Sequence, residues 1–176
     1  MDRSILITGV AGSGKSSVCG ELRNRGYKAY DIEDMKGFFA MIDKATGKIA
    51  DNHNNKNLQS VKHHDWICNK SKLKELARNN AKGIVFYCGT ASNIDELLSL
   101  FDEIFLLKAS PKILRERLNM RKLKDFGSTY EIQEWILSWK KWWEGHMREK
   151  GAIVIDANRD LQKITTDIIE RSKSLK

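Results

Sequence analysis

The chain has 176 residues, which corresponds to roughly one domain. It is 41% apolar and 31% charged, with 12 glycines and one proline. That composition excludes a disordered chain, a collagen-like repeat and a Pro-rich linker. Its apolar runs, such as the one at 84–88, are far shorter than the roughly 20 residues that cross a bilayer. We therefore predict one domain over 1–176, with no membrane segment and no signal peptide.

The charge balance is basic, with 31 lysines and arginines against 23 acids and a formal net charge of +8. Nucleic acid, an anionic membrane or a phosphate-rich small substrate could each bind to this excess of positive charge, but we favour the interpretation that it is a basic face on a soluble enzyme. Cys19, Cys68 and Cys88 are odd in number and form no CxxC pair. This pattern indicates free thiols in a reducing cytoplasm.

Short apolar runs alternate along the chain with segments of helical periodicity. Strands are predicted at 4–8, 28–31, 83–88, 103–107 and 152–155. Helices are predicted at 15–25, 33–44, 71–80, 93–100, 111–122, 130–150 and 160–173. Five apolar strands that alternate with helices are typical of an α/β fold, in which a parallel sheet is covered on both faces.

Two stretches interrupt this alternation. Residues 45–70 contain a polar, Asn-rich segment with weak periodicity, and residues 121–129 are basic and contain a glycine. Long irregular segments in a compact domain are usually functional or mobile. We predict an acceptor-binding insertion at about 35–70 and a lid at about 115–129.

Residues 9–16 match the phosphate-loop (Walker A) pattern G-x-x-x-x-G-K-[ST] between a predicted strand and a predicted helix. Glycines let backbone N–H groups point at phosphate oxygens, and the helix N-terminus adds partial positive charge. Lys15 is predicted to reach the β- and γ-phosphates of ATP, and the Ser16 hydroxyl to bind Mg²⁺. The predicted ATP-binding residues of this loop are Gly9, Ala11, Gly12, Ser13, Gly14, Lys15, Ser16 and Ser17.

Acidic residues stand where the second predicted strand ends, at Asp31, Glu33 and Asp34. Ligands of open α/β sheets gather at the carboxyl ends of the strands. One of these acids, Asp31, is predicted to hold Mg²⁺, and another can accept the proton of an attacking hydroxyl. The alternative is that Glu33 and Asp34 only cap the next helix.

The first strand, the phosphate loop and Asp31-Ile-Glu33 together resemble the shikimate kinase and gluconate kinase branch of the P-loop kinases, with adenylate kinase as a wider relative. The branch carries a second aspartate where this chain has Glu33. The likeness implies a three-layer kinase fold with strand order 2-3-1-4-5. It also implies Mg²⁺-dependent phosphoryl transfer from ATP, in which Asp31 and Glu33 serve the metal and the acceptor hydroxyl.

The resemblance extends over nearly the whole chain, through 86–93, 101–107 and the Arg117-Leu-x-x-Arg121 segment. These segments are similar to small P-loop proteins described as shikimate-kinase-like or nucleotide-kinase-like. In such kinases, arginines at the start of the lid stack on adenine and clamp phosphates, so the likeness implies that Arg117 binds ATP and Arg121 is catalytic. Arg159, in the loop after the last strand, is expected beside the adenine. A solvated basic helix face and a plain turn are the alternatives.

The acceptor side is less defined. Gly89 and Asn93 follow the third strand and are predicted to hold the acceptor, although Asn93 also suits an ordinary helix N-cap. His63, His64 and Trp66 are further candidates for lining the acceptor pocket. A zinc site there is disfavoured because no second pair with ligand spacing follows.

Tryptophans recur with helical spacing between 135 and 143. We interpret this stripe as packing against the sheet or the lid rather than as a stacking platform for bases. The function predicted overall is transfer of the γ-phosphate of ATP to a nucleoside monophosphate, a nucleoside or a polyhydroxy acid. Two alternatives stay open: an ATP-binding regulatory or assembly ATPase, and a kinase that processes nucleic-acid ends.

Overall fold

The computed structural model describes residues 2–174 and places a central sheet beside a small hairpin. The strands are β1 (Arg3–Thr8), β2 (Lys28–Asp31), β3 (Phe39–Asp43), β4 (His64–Cys68), β5 (Ile84–Cys88), β6 (Glu103–Lys108) and β7 (Ile153–Asp156). The α-helices are α1 (Lys15–Asn24), α2 (Leu58–His63), α3 (Lys70–Asn79), α4 (Ile94–Leu97), α5 (Pro111–Asn119), α6 (Tyr130–Glu149) and α7 (Leu161–Ser174). The central sheet is parallel and has the order β2-β5-β1-β6-β7, which confirms the predicted order and fold class.

Strand β1 lies in the middle of this sheet, with β5 on one side and β6 on the other. Ile5, Leu6 and Ile7 are fully buried, because a parallel sheet is covered on both faces. In the register, Ile7 is opposite Cys88 and Cys88 is opposite Asp31. The ends of β1, β5 and β2 therefore meet at one edge of the sheet, where the phosphate loop begins.

The tryptophan stripe of α6 packs within the protein, as predicted. Trp135 meets Trp139 edge-on at 5.5 Å between ring centroids, and Trp139 meets Trp143 at 6.4 Å. Phe126, in the connection before α6, meets Trp135 at 6.4 Å. Trp142 is the exception, since 69% of it is exposed.

The predicted helix over 33–44 is wrong. Residues Ile32–Asp34 form a single 3₁₀ turn, and β3 starts at Phe39. Gly37 lies between them with a φ of +77°, which does not occur within an α-helix. The apolar residues of β3 pair antiparallel with β4, so a partner distant in the sequence decides the structure of this segment.

The polar segment between β3 and β4 folds back onto the hairpin. Its short helix α2 is capped by Asn57, whose side chain accepts the backbone N–H of Ser60 at 2.8 Å. Nδ1 of His53 lies 2.8 Å from Nδ1 of His64. The insertion is therefore a defined structure rather than an extended loop.

The connection between α5 and α6 is a set of tight turns. Helix α5 ends at Asn119, before the predicted end at 122, so Arg121 lies beyond it. Gly127 has a φ of +84°, and a Cβ there would lie 2.8 Å from the Leu118 side chain. The Asn55 amide donates to the Lys124 carbonyl oxygen at 3.3 Å. The predicted lid segment thus touches the insertion.

Within residues 2–174, no helix combines the length and the apolar character needed to span a membrane. The three cysteines are buried and carry free thiols.

Candidate active site

The phosphate loop follows a path that only glycine permits at several positions. Gly12 and Gly14 have φ angles of +84° and +104°, a region that other residues avoid. At Gly9, a Cβ would lie 2.4 Å from Ser13 Oγ and 2.9 Å from the Leu107 carbonyl oxygen. The backbone itself therefore accounts for the glycines at these three positions of the motif.

The other predicted ATP-binding residues of the loop differ in exposure. Ser13 is buried, Ala11 is partly buried, and Ser16 and Ser17 are exposed in the first turn of α1. An exposed hydroxyl at a helix N-terminus is available to a ligand that approaches the loop from solvent.

The Lys15 ammonium lies across the loop. Its Nζ donates to the Gly9 carbonyl oxygen at 2.9 Å and lies 3.7 Å from Oε1 of Glu33. The side chain is 11% exposed, so protein groups hold it in place. An anionic ligand would meet a cation that is already oriented.

The Glu33 carboxylate is the meeting point of four segments of the chain. Its Oε1 accepts the backbone N–H of Thr90 at 2.9 Å and lies near Lys15. Its Oε2 accepts the indole N–H of Trp66 at 3.2 Å. The side chain remains 27% exposed. A carboxylate that is oriented by donors and still open to solvent can accept a proton from a bound hydroxyl.

Asp31 has a different environment. It is 9% exposed at the end of β2, and no residue among 2–174 donates a hydrogen bond to its carboxylate or pairs with it. A buried carboxylate without a partner is costly, which fits a group that binds a cation. Mg²⁺ suits such a site because it takes only one or two carboxylates and keeps waters and phosphate oxygens as its other ligands. Across residues 2–174, no group of three or more His, Cys, Asp or Glu side chains is arranged to hold a metal by itself.

Gly89 and Asn93 have internal partners. The Gly89 N–H donates to the Ile7 carbonyl oxygen at 3.0 Å, and a Cβ at Gly89 would lie 3.2 Å from Cγ of Glu33. The Asn93 side chain accepts the Cys68 N–H at 3.0 Å and donates to the Cys68 carbonyl oxygen at 3.1 Å. Gly89 therefore makes room for Glu33, and Asn93 docks β4 beside β5. Direct contact of either residue with an acceptor stays a prediction.

Arg117 joins two loops. Its Nη1 donates to the Ser13 carbonyl oxygen at 3.1 Å, and its Nη2 donates to the Ala157 carbonyl oxygen at 2.8 Å. Burial lowers the pKa of Arg117, and the nearby Glu116 carboxylate opposes this shift. The guanidinium thus ties the phosphate loop to the turn after β7, and stacking on adenine stays a prediction.

Arg121 lies in the α5–α6 connection, where its Nη1 donates to the Phe126 carbonyl oxygen at 2.7 Å. Desolvation by the surrounding protein lowers the pKa of Arg121, while the carboxylates of Asp125 and Glu33 raise it. The charge of Arg121 is therefore within electrostatic reach of Glu33.

Two further arginines, Arg115 and the predicted adenine neighbour Arg159, have partners away from the phosphate loop. Arg115 forms an ion pair with Glu134 and lies over the Tyr130 ring at 5.6 Å. Arg159 donates to Oδ2 of Asp167 at 2.7 Å, so it is held against α7. A role of Arg159 beside the adenine stays a prediction.

Residues 5–137 match the family model described as AAA domain, which is more than half of the chain. The chain belongs to the AAA domain family. A search of curated proteins found no match to this AAA domain protein.

Solved structures of a deoxyadenosine kinase from M. mycoides are similar to this AAA domain protein. The structure with bound dCTP has 19% identity and a TM-score of 0.58, and the alignment covers 98% of this chain and 100% of that chain. The structure with the products dCMP and a flexible dCDP has 17% identity and a TM-score of 0.57, with the same coverage. The structure with bound dATP has 16% identity and a TM-score of 0.53, covering 97% and 99%. At these identities the likeness establishes the P-loop kinase fold.

The two hydrogen-bond donors to Glu33, the Trp66 indole and the Thr90 backbone N–H, were not predicted from the sequence. Trp66 was a candidate lining residue, but no local pattern indicates that its indole meets Glu33, because the contact depends on hairpin pairing. The Thr90 N–H is a backbone group that carries no sequence signal. The short continuous apolar runs at 39–42 in β3 and 66–68 in β4 are the signal that could have revealed the hairpin.

Proposed function

We propose that this protein is an ATP-dependent kinase that phosphorylates a hydroxyl group of a small acceptor. The observation that carries this proposal is the 3.7 Å separation of Lys15 Nζ and Glu33 Oε1 at the phosphate loop. A cation suited to phosphate thus lies beside a base suited to a hydroxyl, which are the two groups that phosphoryl transfer to an alcohol needs.

A nucleoside is the acceptor class that we favour. A carboxylate at the acceptor position repels a second anion, which disfavours a nucleoside monophosphate or a polyhydroxy acid. Glu33 has no role as a base when the acceptor is already a phosphate oxygen. The similar structures are described as deoxyadenosine kinase, which adds support for a nucleoside.

In the proposed reaction, the hydroxyl oxygen of the acceptor attacks the γ-phosphorus of ATP in line with the leaving ADP oxygen. The acceptor O–H bond breaks and its proton passes to Glu33, while the bond between the γ-phosphorus and the bridging oxygen breaks and ADP leaves. Lys15 and the N–H groups of residues 9–16 hold the phosphates. Ser16 and Asp31 would hold Mg²⁺, which supplies neutralising charge on the phosphate oxygens.

The α5–α6 connection is proposed as the lid. A kinase must keep water away from the γ-phosphate when both substrates are bound. Arg121 is the basic side chain of this segment whose charge is within reach of Glu33. Its proposed role is to stabilise charge on the phosphoryl group in the transition state.

An acceptor screen with γ-labelled ATP tests the function. The panel contains ribonucleosides, deoxynucleosides, nucleoside monophosphates and polyhydroxy acids, with single-stranded oligonucleotides as a further class. We expect label to pass to at least one nucleoside. Release of labelled phosphate that is unchanged by every acceptor would instead support a regulatory ATPase, and label on oligonucleotide ends would support a nucleic-acid kinase.

Two charge-removing variants test the roles of the acids. Asp31→Asn and Glu33→Gln keep the side-chain shape, so both should bind ATP nearly as well as wild type. We expect their transfer rates to fall by roughly 100-fold or more, the usual size of a lost acid–base contribution. Asp34→Asn is the matched control, because Asp34 is exposed in the same 3₁₀ turn. Full activity in both test variants would make the acids structural.

A further inference from the structure

We propose that Trp66 is a positioning residue that holds the Glu33 carboxylate in the orientation needed for proton transfer, an inference that rests on the proposed function. The contact is the hydrogen bond from indole Nε1–H to Oε2 at 3.2 Å. It reaches the oxygen opposite the one that faces Lys15 and Thr90. The insertion thereby contributes to the catalytic base and not only to the acceptor pocket.

Both oxygens of Glu33 are fixed only when Trp66 is present. The Thr90 N–H at 2.9 Å and the Lys15 ammonium at 3.7 Å both act on Oε1. Without the indole, the carboxylate could rotate about its last side-chain bond, since terminal sp³–sp² torsions are broad. The indole N–H is a donor only, so its hydrogen bond to Oε2 fixes the second oxygen of the carboxylate.

The indole is itself held from two sides. The backbone N–H of Trp66 donates to Ser92 Oγ at 3.0 Å, and the backbone N–H of Ser92 donates to the Trp66 carbonyl oxygen at 2.8 Å. The Trp66 ring stacks on Phe39 of β3 with a centroid distance of 4.9 Å and an interplanar angle of 24°. The hairpin therefore presents this one N–H at a fixed place, while Asn93 anchors the end of β4.

The first test detects the contact between the Trp66 indole and Glu33 by NMR and does not require kinase activity. The indole ¹⁵N–¹H resonance of Trp66 is identified by its absence from the spectrum of Trp66→Phe. We expect this resonance to move strongly in Glu33→Gln and to stay in place in the control Asp34→Asn. If the chemical shift of the Trp66 indole does not change in Glu33→Gln, the proposal is wrong.

The second test reads catalysis. Trp66→Phe keeps an aromatic ring that can stack on Phe39 but removes the pyrrole part of the indole with its N–H, so kcat should fall on the order of 10-fold while the KM for ATP changes less than about twofold. Trp142→Phe, an exposed tryptophan on α6, should behave as wild type.

A double-mutant cycle separates positioning from a merely structural role. If Trp66 acts through Glu33, Trp66→Phe should have no further effect on kcat in the Glu33→Gln background. An equal loss in both backgrounds would mean that the hairpin is damaged independently of Glu33 and would refute the proposal. If wild type phosphorylates no acceptor, the proposed function fails by itself, and the indole resonance still decides whether Trp66 holds Glu33.

Discussion

Lys15 and Trp66 contact opposite oxygens of Glu33, but the regions that carry them are built in different ways. The phosphate loop is a continuous stretch between β1 and α1, and its path depends on glycines within the motif. The β3–β4 hairpin is held by pairing across its two strands and by side chains from residues 92 and 93. The path of the phosphate loop is thus determined by its own residues, whereas the position of the hairpin depends on residues that are distant in the sequence.

The largest effect is expected at the local region. Lys15→Ala removes the cation beside the phosphates, so transfer should fall by about 10²- to 10³-fold, as for other single electrostatic contacts in active sites. The Lys15 ammonium donates to a carbonyl oxygen of the loop and does not pack in the hydrophobic core, so the melting temperature should change little. Rate and thermal unfolding are measured on the same preparation, with the exposed Lys141→Ala as the control. Turnover like that of wild type would contradict the site assignment.

Arg121→Ala probes the predicted lid, which borders both regions. The arginine is proposed to act on the transition state, so kcat should fall roughly 10- to 100-fold while the Kd for ATP rises less. Arg117→Ala should show the opposite balance, because Arg117 braces the phosphate loop. Kinetics and calorimetric binding of an ATP analogue check both variants. If Arg121→Ala and Arg117→Ala change kcat and the Kd for ATP in the same proportions, the two arginines do not have the separate roles proposed for them.

Gly89→Ala tests the space that both regions share. The added Cβ would lie 2.6 Å from Cγ1 of Ile32 and 3.2 Å from Cγ of Glu33, so the 3₁₀ turn must shift. We expect a loss of about 1–3 kcal/mol in the free energy of unfolding, as for other overpacked sites. Chemical denaturation measures it. Gly20→Ala is the control, since a Cβ at Gly20 meets nothing within 4 Å.

Asn93→Ala should loosen the hairpin and leave the phosphate loop intact. It removes both side-chain hydrogen bonds to Cys68, each worth about 1 kcal/mol. Hydrogen exchange at 64–68 should therefore accelerate, while exchange at 5–8 in β1 should stay slow. Acceleration throughout the sheet would mean that the hairpin and the core unfold as one unit.

The smallest effect concerns the thiol beside the hairpin. Burial, with the Glu33 charge adding to it, raises the pKa of Cys68 to about 11. A raised pKa keeps the thiol neutral up to that pH, so at pH 8 only about one molecule in a thousand carries the thiolate. Alkylation of Cys68 at pH 8 should be correspondingly slow in native protein and fast after unfolding. Rapid labelling of native protein would show that β4 opens.

Much of the fold was predictable because its signals are local. The five apolar strands, the phosphate loop and the order of the sheet follow from periodicity, motif and resemblance, and the structure confirms that order. The segment 33–44 was mispredicted because its apolar residues pair with β4 and because Gly37 has a positive φ. In the candidate site, Lys15 and Glu33 come from the motif and the strand end. The Trp66 indole reaches them only through tertiary pairing, which no single stretch of sequence encodes.

The position of β1 has a consequence for how the chain folds. This first strand is hydrogen-bonded to β5 and β6, so Arg3 pairs with Ile84 and Ile5 with Glu103. During synthesis, β1 can pair with a neighbouring strand of the sheet only after β5 or β6 has left the ribosome. The phosphate loop, which follows β1, lacks its sheet support until then. Closing such large loops makes assembly of a parallel sheet slow. The buried run Ile5-Leu6-Ile7 is exposed to chaperones and to aggregation during that interval.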